Sequence, residues 1–344
     1  MRRLLLTLTL AAAAHAGALG LEDAWQSASA RPEAITTRLE LLTARSNLLR
    51  VESDPLALRM DRLQAEQDVA RLEAEHRHAL FTALQQIAEA YTGVLQAREQ
   101  VGLAREALAL SEAALEVARI RLANGSATAL EVREAEIAVE EARQGVEAAE
   151  SGLAVATANL EGMIGVEVDP DDLEPVPDHL LRALPALEDV LADLGSHPTL
   201  LQAAQGVELA RAAVDLLDPA YAPQAQIESA RTQLATAEEL VAEARRGFEL
   251  QARNSYLQVT TAADRHDVAA QRAAAAEERL ALEEMRLAGG LISKLQRDQA
   301  ALEARRRAVE LQAAKHEHLL ALLRLQAATM HDLELAPLGA AGRP

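Results

Sequence analysis

The side chains best suited to chemistry are nine histidines and 53 carboxylates, and cysteine is absent. Without thiols there is no disulfide, no Cys-ligated zinc, no thiol catalysis and no lipid-modified N-terminal Cys. His76 and His78 stand two residues apart, as do His316 and His318. On a helix that spacing turns the rings to different faces, whereas a shared metal needs a spacing of three or four. These histidines read as solvated polar faces. The carboxylates read as exposed helix faces interleaved with arginine, as at Arg133, Glu134 and Glu141. No Gly-rich phosphate loop, nucleophile elbow or two-histidine zinc signature occurs. The residues point away from an enzyme and call for no cofactor and no metal.

The elements that must position these residues are helices. Ala (76), Leu (58), Glu, Lys and Arg make up roughly 60% of the 344 residues, a bias of long helices and coiled coils. Six aromatic residues are too few for a large globular core or for the girdles of a membrane β-barrel. A net charge of −19 argues against nucleic acid as a partner, because a phosphate backbone would be repelled. Arg2 and Arg3, the apolar run Leu4 to Ala14 and the small-residue site Ala14-His15-Ala16 form a signal-peptide pattern over residues 1–18. The expected product is exported to the periplasm or cell envelope, with outer-membrane association left open. No other stretch approaches the ~20 apolar residues that span a bilayer as a helix.

The chain repeats itself at an offset of 165 to 166. Leu21-Glu22-Asp23-Ala24 returns as Leu187-Glu188-Asp189-Val190, Arg31-Pro32 as His197-Pro198, and Tyr91 as Tyr256. Arg121-Leu122-Ala123-Asn124-Gly125 returns as Arg286-Leu287-Ala288-Gly289-Gly290. The expected organisation is a first helical repeat over 19–165, a Pro- and Asp-rich linker over 166–186, a second repeat over 187–331 and a tail over 332–344. In the first repeat, helices are expected from Leu21 to Val51, from Leu56 to Ala123 and from the Asn124-Gly125 turn to Met163. In the second, helices run up to Leu217, from Ala225 to Ala288 and from the Gly289-Gly290 turn to near Met330. The two longest would reach roughly 100 Å each, so they must lie along one another.

A seven-residue period sets how they pack. Leu80, Ile87, Val94, Val101, Leu108, Leu115 and Leu122 are trailed at three residues by Ala83, Ala90, Ala97, Ala104, Ser111 and Ala118. Val132, Val139, Val146, Leu153 and Leu160 on the return helix are trailed by Ala135, Ala142, Ala149 and Ala156. Such a repeat imposes supercoiled pairing, here in antiparallel hairpins. His266, Lys315 and His316 interrupt the pattern in the second repeat. The expected fold class is all-α, built of long antiparallel helical hairpins in two homologous halves.

The signal pattern, the duplication and the turn Arg121 to Val132 resemble the TolC-type outer-membrane efflux proteins. That resemblance covers nearly the whole mature chain and rests on Gly125, Thr128, Glu131 and Val132 at the turn, Leu21, Ala24 and Pro32 at the opening, and Tyr91. It implies a homotrimer forming a passive helical tunnel across the periplasm, one component of a tripartite efflux system. The hairpin tips would dock a periplasmic adaptor protein and an inner-membrane pump through Asn124, Gly125, Thr128, Glu131, Val132, Gly289, Gly290, Ser293 and Leu295. Replacing Thr128 or Glu131 by Ala is expected to leave folding intact. The alternative reading of these turns is a plain helix-hairpin corner, and that of the chain a structural coiled-coil scaffold that kept the fold and lost the channel.

The chain also departs from the family. Its members insert a β-hairpin between the first and the long helix of each half, building a membrane barrel. The corresponding stretch Val51 to Met60 holds only a Pro turn, and Ala225 to Ser229 is too short and polar for the ~9–11 alternating residues of a membrane strand. At the second turn Gln296 and Arg297 replace the acidic-aliphatic pair. The expected protomer therefore lacks a membrane barrel, leaving membrane association without strands to carry it.

Overall fold

The computed structural model describes residues 18–335 of the chain; the signal-peptide expectation and most of the tail lie outside them. Eight α-helices follow in order: α1 (Leu21–Trp25), α2 (Pro32–Ser53), α3 (Arg59–Ala123), α4 (Ala129–Ile164), α5 (Leu187–Ala192), α6 (Pro198–Asp215), α7 (Gln224–Ala288) and α8 (Lys294–Thr329). The long helices α3 and α7 have 65 residues each, and their return helices α4 and α8 have 36 each. Among the described residues there is no β-strand, only an isolated parallel bridge between Leu19 and Leu173. No described helix is long and apolar enough to cross a membrane.

The hairpins follow the heptads. Val139 and Leu160 are buried on α4, and Val132, Val146, Leu153 and the four trailing alanines are half-buried. On α3 the seam residues from Leu80 to Leu115 are buried or half-buried, and only Leu122, beside the tip, opens to solvent. Arg105 meets Glu150 at 2.7 Å and Arg119 meets Glu136 at 3.1 Å. Equal steps forward on α3 and backward on α4 are the signature of an antiparallel pair in constant register. Arg265 and Glu317 make the same cross-link in the second hairpin at 2.8 Å.

One expected helix divides. Instead of a helix from Leu21 to Val51, α1 ends at Trp25, a 3-10 turn covers Gln26–Ala30, and α2 starts at Pro32. Proline excludes the helical conformation from the residue before it, and Arg31 is extended (φ −66°, ψ 142°). Pro32 then serves as first helical residue, where its missing N–H costs nothing. His197-Pro198 repeats the arrangement ahead of α6. The break lets Trp25 turn inward, where its Nε1–H donates to the Leu84 carbonyl at 2.9 Å.

The core lies part-way along the rod, where Phe81, Leu84, Ile87, Tyr91 and Val94 of α3 meet Leu160 of α4, Val259 of α7 and Leu319, Leu322 and Leu325 of α8. The 166–186 segment is no loose tether: Leu173, Val176 and Leu180 are buried in this same core. Tyr91 holds it, with its hydroxyl 2.8 Å from the Leu19 carbonyl and 2.7 Å from that of Glu174. Burial raises the phenol's pKa far above its ordinary value. Arg98 Nη1 donates to the carbonyls of Pro170 (2.7 Å) and Leu173 (3.2 Å), and Lys315 pairs with Asp178. Tyr256, 165 residues after Tyr91, donates to the Pro185 carbonyl at 3.0 Å. The two tyrosines thus clasp one strap, near its middle and at its C-terminal end.

Tyr91→Phe keeps the ring but removes two part-buried hydrogen bonds, to Leu19 and Glu174, so it is expected to cost about 1–3 kcal/mol of stability. Tyr221→Phe, at an exposed position, should cost nothing measurable; denaturant titrations of both variants check this.

Candidate functional site: the two hairpin tips

The tips are built alike. Gly125 and Gly290 take left-handed backbone (φ +73° and +70°), a region open to glycine at little cost. In the first tip the Gly125 N–H donates to Leu122 O (2.9 Å) and the Ser126 N–H to Arg121 O (2.8 Å). In the second the Gly290 N–H donates to Leu287 O and the Leu291 N–H to Arg286 O, both at 2.9 Å. This pairing of two bonds is a Schellman C-cap, which satisfies carbonyls left open by the ending helix. Asn124 and Gly289 precede these glycines as C-cap residues. A Cβ at Gly289 would meet only ordinary contacts, so the turn requires glycine at 290 and not at 289.

Each return helix starts with a reciprocal cap. The Glu131 N–H donates to Thr128 Oγ1 (3.2 Å), and the Thr128 N–H donates to Glu131 Oε2 (2.6 Å). Ser293 and Gln296 make the same box, at 3.3 and 2.9 Å. Hydrogen bonds from Thr128 hold the Glu131 carboxyl below the usual carboxylate range. Val132 is half-buried in the seam, and Leu295 is half-buried in the first turn of α8. Gln296, a departure from the family pattern in residue type, thus performs the same capping as Glu131. Thr128 and Glu131 both close the N-terminus of α4, so replacing either carries a local cost there beyond that of an ordinary exposed position.

Two features were not singled out by the sequence reasoning. Leu291, in the place held by Ser126 in the first tip, is exposed at the second apex. Arg272, Arg279, Arg286 and Arg307 line a groove behind that tip, between α7 and α8, with Glu283 and Glu303. The signal was present: Arg265, Arg272, Arg279 and Arg286 stand seven apart, one flank of a coiled-coil seam. The comparable groove behind the first tip is lined by Leu122, Val132, Arg133, Glu136, Ile137 and Glu140. The two tips share a backbone and differ in charge. Among the described residues no hydrogen bond or ion pair joins one tip to the other.

The first tip and both of its helices fall inside one family match. Residues 58–166 match the family model "Outer membrane efflux protein". No curated protein matches the chain by sequence. Among solved structures, the outer membrane protein VceC from Vibrio cholerae aligns with TM-score 0.60 at 18% identity, covering 90% of this chain and 95% of that one. The Campylobacter jejuni CmeC outer membrane channel aligns with TM-score 0.61 at 12% identity, covering 94% and 90%. The open-state MtrE outer membrane channel from Neisseria gonorrhoeae aligns with TM-score 0.61 at 16% identity, covering 93% and 91%. The fold is shared with these outer-membrane channels. The efflux-protein match spans Asn124, Gly125, Thr128, Glu131 and Val132; the second tip lies beyond it.

The histidines are not the solvated residues the sequence suggested. His316 is 3% exposed on α8 with its Nδ1 unpartnered, and burial, then Lys315, pushes its pKa down to about 4. His197 packs on Phe248 at 4.4 Å with the rings tilted by 47° and meets His78 edge-on at 5.3 Å; burial, then His78, lowers it to about 4. His76 is half-buried, its Nδ1 3.0 Å from Thr37 Oγ1. Sequence spacing showed that the rings face apart, not which neighbouring helix would cover them.

Two outcomes follow. Thr128→Ala is expected to cost about 1 kcal/mol locally, seen as faster amide exchange in the first turns of α4, whereas Thr128→Ser retains protection. Both His197 and His316 have folded pKa values below the unfolded value near 6.5, so the unfolded chain binds more protons between about pH 6.5 and 4. Stability is therefore fully present above pH 6.5 and falls as pH drops through that window. Melting temperatures should decline more steeply there in the native chain than in His316→Phe.

Proposed function

We propose that the chain is one protomer of a helical conduit in the cell envelope, exported, homotrimeric, and part of a tripartite efflux assembly. Its two homologous halves, 19–165 and 187–331, would each contribute one hairpin to the tube wall. The tips would meet a periplasmic adaptor and an inner-membrane pump. The observation that carries this reading is the twinned tips: two backbone-identical turns, each closing a 65-residue helix. The family match over 58–166 supports it, as does the fold shared with outer membrane channels. Ile137, Val155, Leu257, Val268 and Leu282 are exposed along the hairpin flanks, apolar surface that a lone rod leaves in water and neighbouring copies would cover. Transport would be passive, and the net charge of −19 would disfavour anions in an acidic lumen.

One observation favours the scaffold alternative. Where a membrane hairpin would be inserted, α2 and α3 are joined by five residues, 54–58. The chain holds no cysteine, so single cysteines at Ser126 and Leu291 report contacts without background. In cell envelopes, Ser126→Cys and Leu291→Cys are expected to cross-link to a second, different protein. Adducts containing only copies of this chain, or no adducts, would contradict tip docking and favour the scaffold.

A further inference from the structure

The end of the rod opposite the tips carries a second matched pair of turns. Asp54-Pro55 joins α2 to α3, and Asp218-Pro219 joins α6 to α7. In the first, Asp54 Oδ1 accepts from the Leu56 N–H (2.9 Å) and Asp54 O from the Ala57 N–H (3.1 Å). In the second, Asp218 Oδ1 accepts from the Ala220 N–H (2.8 Å) and Asp218 O from the Tyr221 N–H (3.0 Å). Proline at the second position fixes φ, and the Asp side chain closes the turn, so both loops are stiff. What they present is apolar. Tyr221 at 89% and Leu56 at 86% are the most exposed large apolar side chains described, flanked by Leu58 at 67% and Leu216 at 66%.

The turns are close to level. Gln67 of α3 and Gln205 of α6 exchange hydrogen bonds, Gln205 Nε2 donating to Gln67 O at 2.8 Å and Gln67 Nε2 to Gln205 O at 3.4 Å. From that tie, α3 runs back nine residues to Leu58 and α6 runs on eleven to Leu216, about 14 and 16 Å at helical rise. Both apices therefore stand at one end of the rod, as convex knobs whose backbone bonds are closed internally.

We infer that these Asp-Pro turns seat the rod on a lipid bilayer by inserting Leu56, Leu58, Leu216 and Tyr221 into its interfacial layer. The inference rests on the envelope location proposed above. Stiff convex knobs fit a deformable surface without needing a complementary pocket. Leu supplies the apolar insertion, and Tyr prefers the headgroup boundary, with its ring below and its hydroxyl in water. Charge does not drive the contact. Between Arg50 and Arg62 the three arginines are offset by Glu52, Asp54 and Asp61, and the second turn is flanked by Asp215 and Asp218. Binding should then persist at high salt and on uncharged lipid, unlike attachment through a polybasic patch. In a homotrimer three copies of each turn would bind together, so weak individual insertions gain from effective concentration.

The test is flotation of the mature full chain with phosphatidylcholine vesicles, at low and high salt. The native protein is expected to float under both conditions. Leu56→Glu/Tyr221→Glu should lower the vesicle-bound fraction at least about tenfold, since two buried apolar side chains are lost, with circular dichroism and oligomeric mass unchanged. If that variant misfolds, Leu56→Ser/Tyr221→Ser takes its place. Native protein that stays with the unbound fraction, floats only on anionic vesicles at low salt, or floats equally in the double variant would overturn the inference; so would these turns engaging a protein while vesicles are ignored. Tip cross-linking through Ser126→Cys is read separately, so failure of lipid seating and failure of tip docking are distinguishable.

Discussion

A pair of helices has no interior except the seam between them. Along α3 and α4 the seam alternates a large residue with an alanine or serine three residues on, as at Val139 and Ala142. That allows close approach but buries little per turn. Dispersion and apolar burial scale with contact area, so such a hairpin is long, regular and thinly packed. The tips, with exposed residues on nearly every face, are the extreme of this condition. The constraint explains why the substantial core lies where a third and fourth helix join, around Ile87 and Leu322. It also explains why the flanks keep apolar side chains in water.

The duplicated plan recurs at the level of hydrogen bonds. Tyr91 and Tyr256 both reach strap carbonyls, Arg31-Pro32 and His197-Pro198 both redirect the chain into a helix, and each tip closes with a Schellman turn and a capping box. The halves have diverged in charge and cover more than in backbone. Arginines seven apart occupy one flank of α7, where the corresponding places 165 residues earlier hold Gln100, Ala107, Ala114 and Arg121. Arg305 of α8 ties the halves together through Glu99 of α3. A protomer with two near-equal hairpins of different surface charge has distinct neighbours on its two sides, which suits a closed ring.

What the sequence disclosed, and what it hid, follows from the range of the forces involved. The heptads of α3 and α4, the glycine turns and the absent strands were legible, because each depends on residues close in the chain. The break at Pro32 was local too, but Arg31-Pro32 served only as a repeat marker and Pro32 as a point of family resemblance. The capping by Thr128 and Glu131 was visible as a Thr-x-x-Glu spacing and was read as a docking signature. Burial of His316 beneath neighbouring helices and the packing of Leu173, Val176 and Leu180 under Tyr91 are long-range events. Within a Pro- and Asp-rich segment, three well-spaced aliphatics gave only a faint signal of a strap bound to a core.

On the proposed function this chain would be one third of a tube, its exposed flanks serving as interfaces and its ends engaging different partners. Light scattering coupled to size exclusion, with small-angle scattering on the same peak, tests it most directly. The account predicts a mass close to three times that of the mature chain, the full sequence being 36.9 kDa, and a hollow elongated particle whose length matches the ~100 Å of a 65-residue helix or exceeds it. A monomeric mass at micromolar concentration, or a particle without a hollow axis, would contradict it.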